Sequence, residues 1–119
     1  MPYTDQVYAD LLGARVDDAR SQQAALTAAI EEMRVARSLT FADDEHDPEG
    51  STVSLDQARD VALLDRTEQT LAELLAAQQR FAAGTYGVCE RCDRDIPAER
   101  LEARPEARTC LACASRKTR

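Results

Sequence analysis

From Thr4 to Leu39 the chain steps through apolar and small positions at alternating intervals of four and three: Tyr8, Leu12, Arg15, Ala19, Gln22, Leu26, Ala29, Met33 and Ala36. That rhythm is the seam of a coiled-coil helix, with Arg15 and Gln22 as its polar members. No proline and only one glycine, Gly13, falls in the stretch. Asp5 and Asp10 suit the positive end of a helix dipole, and Arg34 and Arg37 suit the negative end. The next segment, TFADDEHDPEGST over residues 40–52, contains Pro48 and Gly50 and predicts a turn. A second helix is predicted from about Ser54, a candidate N-cap with Gln57 three residues on. Val61, Leu64, Leu71, Leu74, Leu75 and Phe81 continue it at helical spacing to Ala83, where Gly84 is a natural stop.

Two helices of roughly 30–35 residues would each run ~45–50 Å. Their similar length and the short connection predict an antiparallel hairpin over residues 1–83, with the turn at about 40–53, followed by a separate module over 84–119. The stripe could instead drive dimerisation. The short, well-marked turn favours closure within one chain, and so a monomer.

Composition supports long helices over a compact core. Of 119 residues, 44% are apolar, none is Trp, and only two are Phe and three Tyr. With 31% of residues charged, narrow apolar stripes are the expected economy of such a chain. No stretch approaches the ~18 apolar residues of a membrane span. Met1-Pro2-Tyr3-Thr4-Asp5 lacks the basic and apolar regions of a secretory signal, so a cytoplasmic protein is expected.

Charge is unevenly spread. Residues 1–83 carry 16 acids against 7 bases, and residues 84–119 carry 6 acids against 8 bases, together the net −7 of the chain. The acidic body disfavours wrapping of nucleic acid along the helices, leaving only the C-terminal part able to tolerate it.

The chemistry is concentrated in that part. Cys89-x-x-Cys92 and Cys110-x-x-Cys113 are separated by 17 residues. Two-residue gaps let both thiolates of a pair turn toward one point, and two pairs complete a tetrahedron around a single structural Zn²⁺. A redox Cys-x-x-Cys belongs in a βαβ context that is missing here, and two disulfides need an oxidising compartment. Four thiolates leave no open coordination position, so catalytic zinc is not expected. His46, the only histidine, sits in the turn and reads as a solvated side chain. Val88, Ile96, Leu101 and Leu111 are nearly all the apolar content of the module, so metal is expected to supply much of its folding free energy. No nucleophile–base pair can be assembled around one histidine, and no enzyme is expected.

Gly84-Thr85-Tyr86-Gly87 leading into the first cysteine pair, then Ile96-Pro97, then Arg100-Leu101-Glu102-Ala103-Arg104-Pro105 before the second pair, resembles the DksA/TraR family of C4 zinc-finger proteins. The resemblance covers about the last third of the chain closely, and the helical hairpin extends it loosely to most of the rest. It implies a bacterial transcription regulator that binds RNA polymerase, its hairpin entering the secondary channel and its zinc finger helping to dock outside. It also implies an acidic tip near the active site, often working with the alarmone ppGpp. Asp43, Asp44, Glu45, Asp47 and Glu49 crowd the turn. By themselves such runs read as a solvated face, whereas the resemblance makes Asp44, Asp47 and Glu49 the candidate tip residues. The best-known members carry Asp-x-x-Asp-x-Ala there, and this chain has Glu49 where they have Ala. It also stops six residues after Cys113, whereas members with a longer C-terminal helix use it for docking and alarmone contacts, so a ppGpp response is not carried over.

Two rival readings remain at this level. Arg91, Arg94, Arg100, Arg108, Arg116 and Lys117 could make a nonspecific DNA-binding finger, although the interleaved Glu90, Asp93, Asp95, Glu99 and Glu106 cancel most of the phosphate attraction. Alternatively, thiol oxidation could release the metal in a redox-responsive zinc protein.

Overall fold

The computed structural model describes the backbone of residues 4–43 and 50–116 and the side chains of residues 4–39 and 55–116. Among the described residues there are four helices in chain order: α1 (Asp5–Asp43), α2 (Gly50–Ala83), α3 (Ala98–Ala103) and α4 (Leu111–Ser115). The chain is a long helical hairpin followed by a small cysteine-bearing module. Among the described residues, extended pairing is limited to one antiparallel bridge between Val88 and Asp95. None of the described helices is long and apolar enough to cross a membrane.

Both long helices run further toward the turn than the sequence predicted. α1 continues through Thr40-Phe41-Ala42-Asp43, and α2 begins at Gly50. Ser54 is therefore inside α2 and is not its N-cap. The physical reason is cooperativity: once a long helix is nucleated, each further residue adds a hydrogen bond at low cost. Arg34 and Arg37 are correspondingly not at a helix end. Arg34 instead pairs with Glu31 at 2.7 Å along α1, and Arg37 donates across the hairpin to Gln57 Oε1 at 2.9 Å.

The other end of α2 follows the sequence closely. Gly84 has φ of +83°, the left-handed region that L-residues with a Cβ avoid. Gly84 N–H donates to the Phe81 carbonyl at 3.2 Å and Thr85 N–H to the Arg80 carbonyl at 2.9 Å. This pair of bonds closes the helix as a Schellman motif.

The seam of α1 departs from the even four-three rhythm. Tyr8, Leu12, Val16 and Ala19 are buried, followed by half-buried Gln23, Leu26, Ala29, Ile30, Met33 and Arg37. Two successive steps of four, Leu12 to Val16 after Tyr8 to Leu12, shift the register by one. Val16 replaces Arg15 at the buried position, Gln23 replaces Gln22, Ile30 joins Ala29, and Arg37 replaces Ala36. The extra residue in the step keeps the apolar stripe facing inward, where a strict seven-residue repeat would drift and bury the Arg15 guanidinium. On α2 the seam is Gln57, Asp60, Leu64, Thr67, Leu71, Leu74, Ala77 and Phe81. Val61 faces outward at 42% exposure, and Asp60 takes the inner position.

The chain divides into two compact units, residues 1–18 with 70–119, and residues 19–69. The second is a bare helix pair. Apart from Ala19 and Thr67, its described side chains are at best half-buried, and polar bonds bridge its two helices, Gln23 to Glu68 at 3.1 Å and Arg37 to Gln57. Val35, Leu39 and Leu55 are exposed.

The first unit holds most of the buried apolar side chains. Tyr8, Leu12, Val16, Leu71, Leu74 and Ala77 from the helices join Tyr86, Ile96, Leu101 and Ala107 from the module. Tyr86 is the hinge point of this packing. Its ring lies 5.5 Å from Tyr8 and 5.8 Å from Phe81, both tilted, separations at which aromatic pairs attract. Its hydroxyl donates to the Pro105 carbonyl at 2.9 Å. Burial, reinforced by Tyr8, pushes the Tyr86 phenol up to about 12. The folded state therefore favours the protonated phenol. Stability is full below the ordinary tyrosine value of ~10 and falls as pH rises from there toward 12. Replacing Tyr86→Phe is expected to cost about 1 kcal/mol at neutral pH and to flatten that alkaline decline, both read from denaturant melts across pH.

Candidate metal centre

The module begins as a tight hairpin around the first cysteine pair. Gly87 has φ of +86° and Asp93 has φ of +63°. These two left-handed residues bracket a reversal in which Cys89 N–H donates to the Arg94 carbonyl at 2.8 Å, Asp93 N–H to the Cys89 carbonyl at 3.0 Å and Ile96 N–H to the Gly87 carbonyl at 2.8 Å. The reversal turns Cys89 and Cys92 to the same side. The second pair sits on α4, with Cys110 as its N-cap residue and Cys113 one turn later. A three-residue spacing puts the two on one helical face.

Backbone and side-chain bonds join the two halves. Glu90 N–H donates to the Arg108 carbonyl at 2.9 Å, and Arg108 pairs with the Glu90 carboxylate at 3.5 Å. Between them, α3 is packed by Leu101, which is fully buried. Arg100 Nε donates to the Thr109 carbonyl at 2.8 Å, fixing the approach to Cys110. Val88 and Leu111 remain 38% and 65% exposed, so the module's interior is even poorer in apolar side chains than its sequence implied. Tyr86, Pro105 and Ala107 make up the difference.

All four cysteine sulfurs lie within 4.8 Å of one another. Cys89 and Cys113 are buried, Cys110 is half-buried and Cys92 exposed. Cys92 Sγ and Cys110 Sγ are 3.8 Å apart. A tetrahedron with metal–sulfur arms of ~2.3 Å has edges of ~3.8 Å, so the donor set fits one tetrahedral metal ion. Electrostatics point the same way. Burial opposes the Cys89 thiolate, but the N–H groups of Cys110, Cys92 and Arg91 outweigh it and bring the group down to about 6. Burial and then the neighbouring thiols push Cys113 up to about 12. Thiols this close oppose one another's ionisation, and a dication among them removes the conflict by holding all four as thiolates.

Neighbouring side chains anchor the module to the helix ends. Arg15 Nη2 donates to the Glu102 carbonyl at 3.3 Å. Arg80 Nη2 makes long contacts of 3.5 Å to the carbonyls of Glu106 and Ala107. Partial burial, and next the charge of Arg108, lower the Arg80 pKa. The four-three spacing places Arg15 in the seam, and no sequence pattern marks Arg80. Their targets are carbonyls 87 and 26 positions away along the chain, which no local pattern encodes.

The cysteines that the sequence singled out are thus brought together. The candidate tip residues Asp44, Asp47 and Glu49, and His46, lie outside the described residues.

A helical hairpin carrying a four-cysteine finger defines a recognisable class. The model for the prokaryotic dksA/traR C4-type zinc finger matches residues 84–119. General stress protein 16O of Bacillus subtilis (strain 168) is 40% identical over 65 residues, 55% of this chain and 40% of that protein. The uncharacterized 8.2 kDa protein in the gpA 5' region of Escherichia phage P2 is 39% identical over 57 residues, 44% of this chain and 77% of that protein. Among solved structures, transcription factor DksA2 from Pseudomonas aeruginosa matches with a TM-score of 0.56 at 21% identity, covering 95% of this chain and 94% of that one, a likeness of fold. The chain belongs to the DksA/TraR family of C4-type zinc-finger proteins. It spans well under half the length of the stress protein it matches.

The family's zinc and the geometry of the four sulfurs agree on one metal ion. Replacing Cys89→Ser, the most buried of the four, is expected to drop zinc content from one equivalent to well below one after dialysis against a weak chelator, as measured by atomic absorption.

Proposed function

We propose that this protein is a non-enzymatic transcription regulator that binds bacterial RNA polymerase. Its hairpin enters the secondary channel, while Cys89, Cys92, Cys110 and Cys113 hold one structural Zn²⁺. The observation that carries the reading is the joint presence of both parts in one chain. The finger matches the DksA/TraR family over residues 84–119, and the hairpin and finger together share the fold of a protein described as a transcription factor over 95% of the chain. Asp44, Asp47 and Glu49 are assigned to the acidic tip that would act near the polymerase active site. They would work by charge on metal, substrate or a mobile polymerase element, with no covalent chemistry of their own. The protein acts as a monomer in the cytoplasm, and no site is assigned to ppGpp.

The thinness of residues 19–69 supports this reading. A helix pair joined by polar bonds and exposing Val35, Leu39 and Leu55 has little interior of its own and suits insertion between protein walls. The DNA-binding alternative loses ground for a specific reason. Arg91 and Arg100 direct their guanidinium groups at backbone carbonyls, and Arg108 pairs with Glu90. Three of the six bases it needs are engaged within the module.

The test uses zinc-loaded protein, purified bacterial RNA polymerase and a promoter transcription assay. The wild type is expected to bind polymerase and change transcript yield. The triple variant Asp44→Ala, Asp47→Ala, Glu49→Ala is expected to bind and leave transcription unchanged. Absence of wild-type binding would overturn the proposal, and a fully active triple variant would remove the tip assignment.

A further inference from the structure

Arg91 lies between the first two cysteines, yet its side chain reaches the second pair. Its Nη1 donates to the Cys113 carbonyl at 3.2 Å and to the Arg116 carbonyl at 3.0 Å. Its own backbone N–H points to Cys89 Sγ at 3.4 Å. One residue therefore touches both halves of the cysteine cluster. We infer that Arg91 is a positioning residue for the metal centre, clamping the C-terminal end of α4 so that Cys113 is held against Cys89 and Cys92. This inference rests on the metal-site reading above.

Three physical arguments converge on it. First, α4 has only five residues, too few for helix formation to sustain itself. The last carbonyls of such a helix lack helical donors, and Arg116 N–H to the Cys113 carbonyl at 3.1 Å is the closing backbone bond there. The Arg91 guanidinium supplies further donation to that end, so the turn bearing Cys113 is fixed from outside. Second, a guanidinium offers several donors in a rigid plane, and it is positive at any pH at which thiolates bind metal. Four thiolates around a dication carry an excess of two negative charges, and a cation fixed at the Cys113 carbonyl lowers the cost of holding that excess in a partly buried place. Third, the cation also favours the negative end of the α4 dipole.

Neighbouring Arg94 provides the contrast. It is exposed, it sits on the same reversal, and among the described residues it contributes its backbone carbonyl, accepting from Cys89 N–H, with no side-chain bond to α4. Removing Arg94 deletes the same charge from the same hairpin and leaves the clamp intact. The two substitutions therefore separate charge from geometry.

The experiment is chelator competition on the full, zinc-loaded chain, with Co²⁺ substitution to report the ligand set by its absorption and far-ultraviolet circular dichroism to report the long helices. Groups that orient metal ligands typically contribute about 10- to 100-fold to metal affinity. Arg91→Ala is expected to release zinc about tenfold more readily, with the tetrahedral thiolate spectrum of Co²⁺ and the helix signal retained. Arg91→Lys is expected to recover part of the affinity, since an ammonium keeps the charge without the planar fork. Arg94→Ala is expected to behave as wild type. Should Arg91→Ala itself fold poorly, Arg91→Lys against Arg94→Ala decides the matter. Wild-type zinc retention in Arg91→Ala would overturn the inference, and so would an equal loss in Arg94→Ala. A wild-type chain that takes up no zinc, or a Co²⁺ spectrum without tetrahedral thiolate bands, would instead overturn the metal-site reading on which the inference rests.

Discussion

Four sulfur atoms within 4.8 Å of one another repel as thiolates and gain little as thiols, so the geometry of the C-terminal module depends on a cation among them. The module has little else to fold around. Among its described residues, Ile96 and Leu101 are the only long aliphatic side chains that are buried, and its two short helices have six and five residues. Metal binding free energy takes the place of the core that a chain segment this size cannot build. Once the two cysteine pairs are fixed, the segment between them is fixed too. That segment supplies the carbonyls of Glu102, Pro105, Glu106 and Ala107, the acceptors for Arg15, Tyr86 and Arg80. The constraint at the sulfurs thus reaches the helix ends through a short run of backbone.

The two units are stabilised in different ways. In the first, aromatic rings, buried aliphatic side chains and side chain–carbonyl bonds converge on Tyr86 and Leu101. In the second, the seam is made of half-buried Leu26, Ile30, Met33 and Leu64, with glutamine, arginine and aspartate at other inner positions. Exposed or half-exposed pairs such as Glu31–Arg34 contribute little each. Few buried apolar contacts and solvent-exposed backbone bonds mark a segment that opens locally at low cost. Under the proposed function the walls of a partner's channel would supply the contacts that this interior lacks.

Much of this was legible in the sequence, and the misses have physical causes. The cysteine spacing is readable because ligand geometry is local: two residues between thiolates is a property of a turn and needs no knowledge of the fold. Gly84 is readable for the same reason, since only a left-handed residue closes a helix in this way. The hairpin is readable from period, but its register is not. A strict heptad places Arg15 in the seam, whereas burial selects the apolar Val16 and lets the repeat slip. Ser54 looked like a cap because its chemistry fits, yet a helix already favoured by its downstream seam starts earlier. Arg91 is the clearest case of what spacing hides. In sequence it is one base in a row suited to phosphate, and only the fold brings the α4 carbonyls within its reach.

In the proposed function, metal at the four cysteines shapes the unit through which the chain would engage polymerase. This is tested most directly by measuring polymerase binding of the same preparation before and after zinc removal, and again after zinc is restored. Tight binding is expected when the protein is loaded. Stripping should abolish binding together with the near-ultraviolet signal of the packed tyrosines, and both should recover on adding back one equivalent of zinc. Binding of equal strength with and without metal, or no binding in either state, would contradict it.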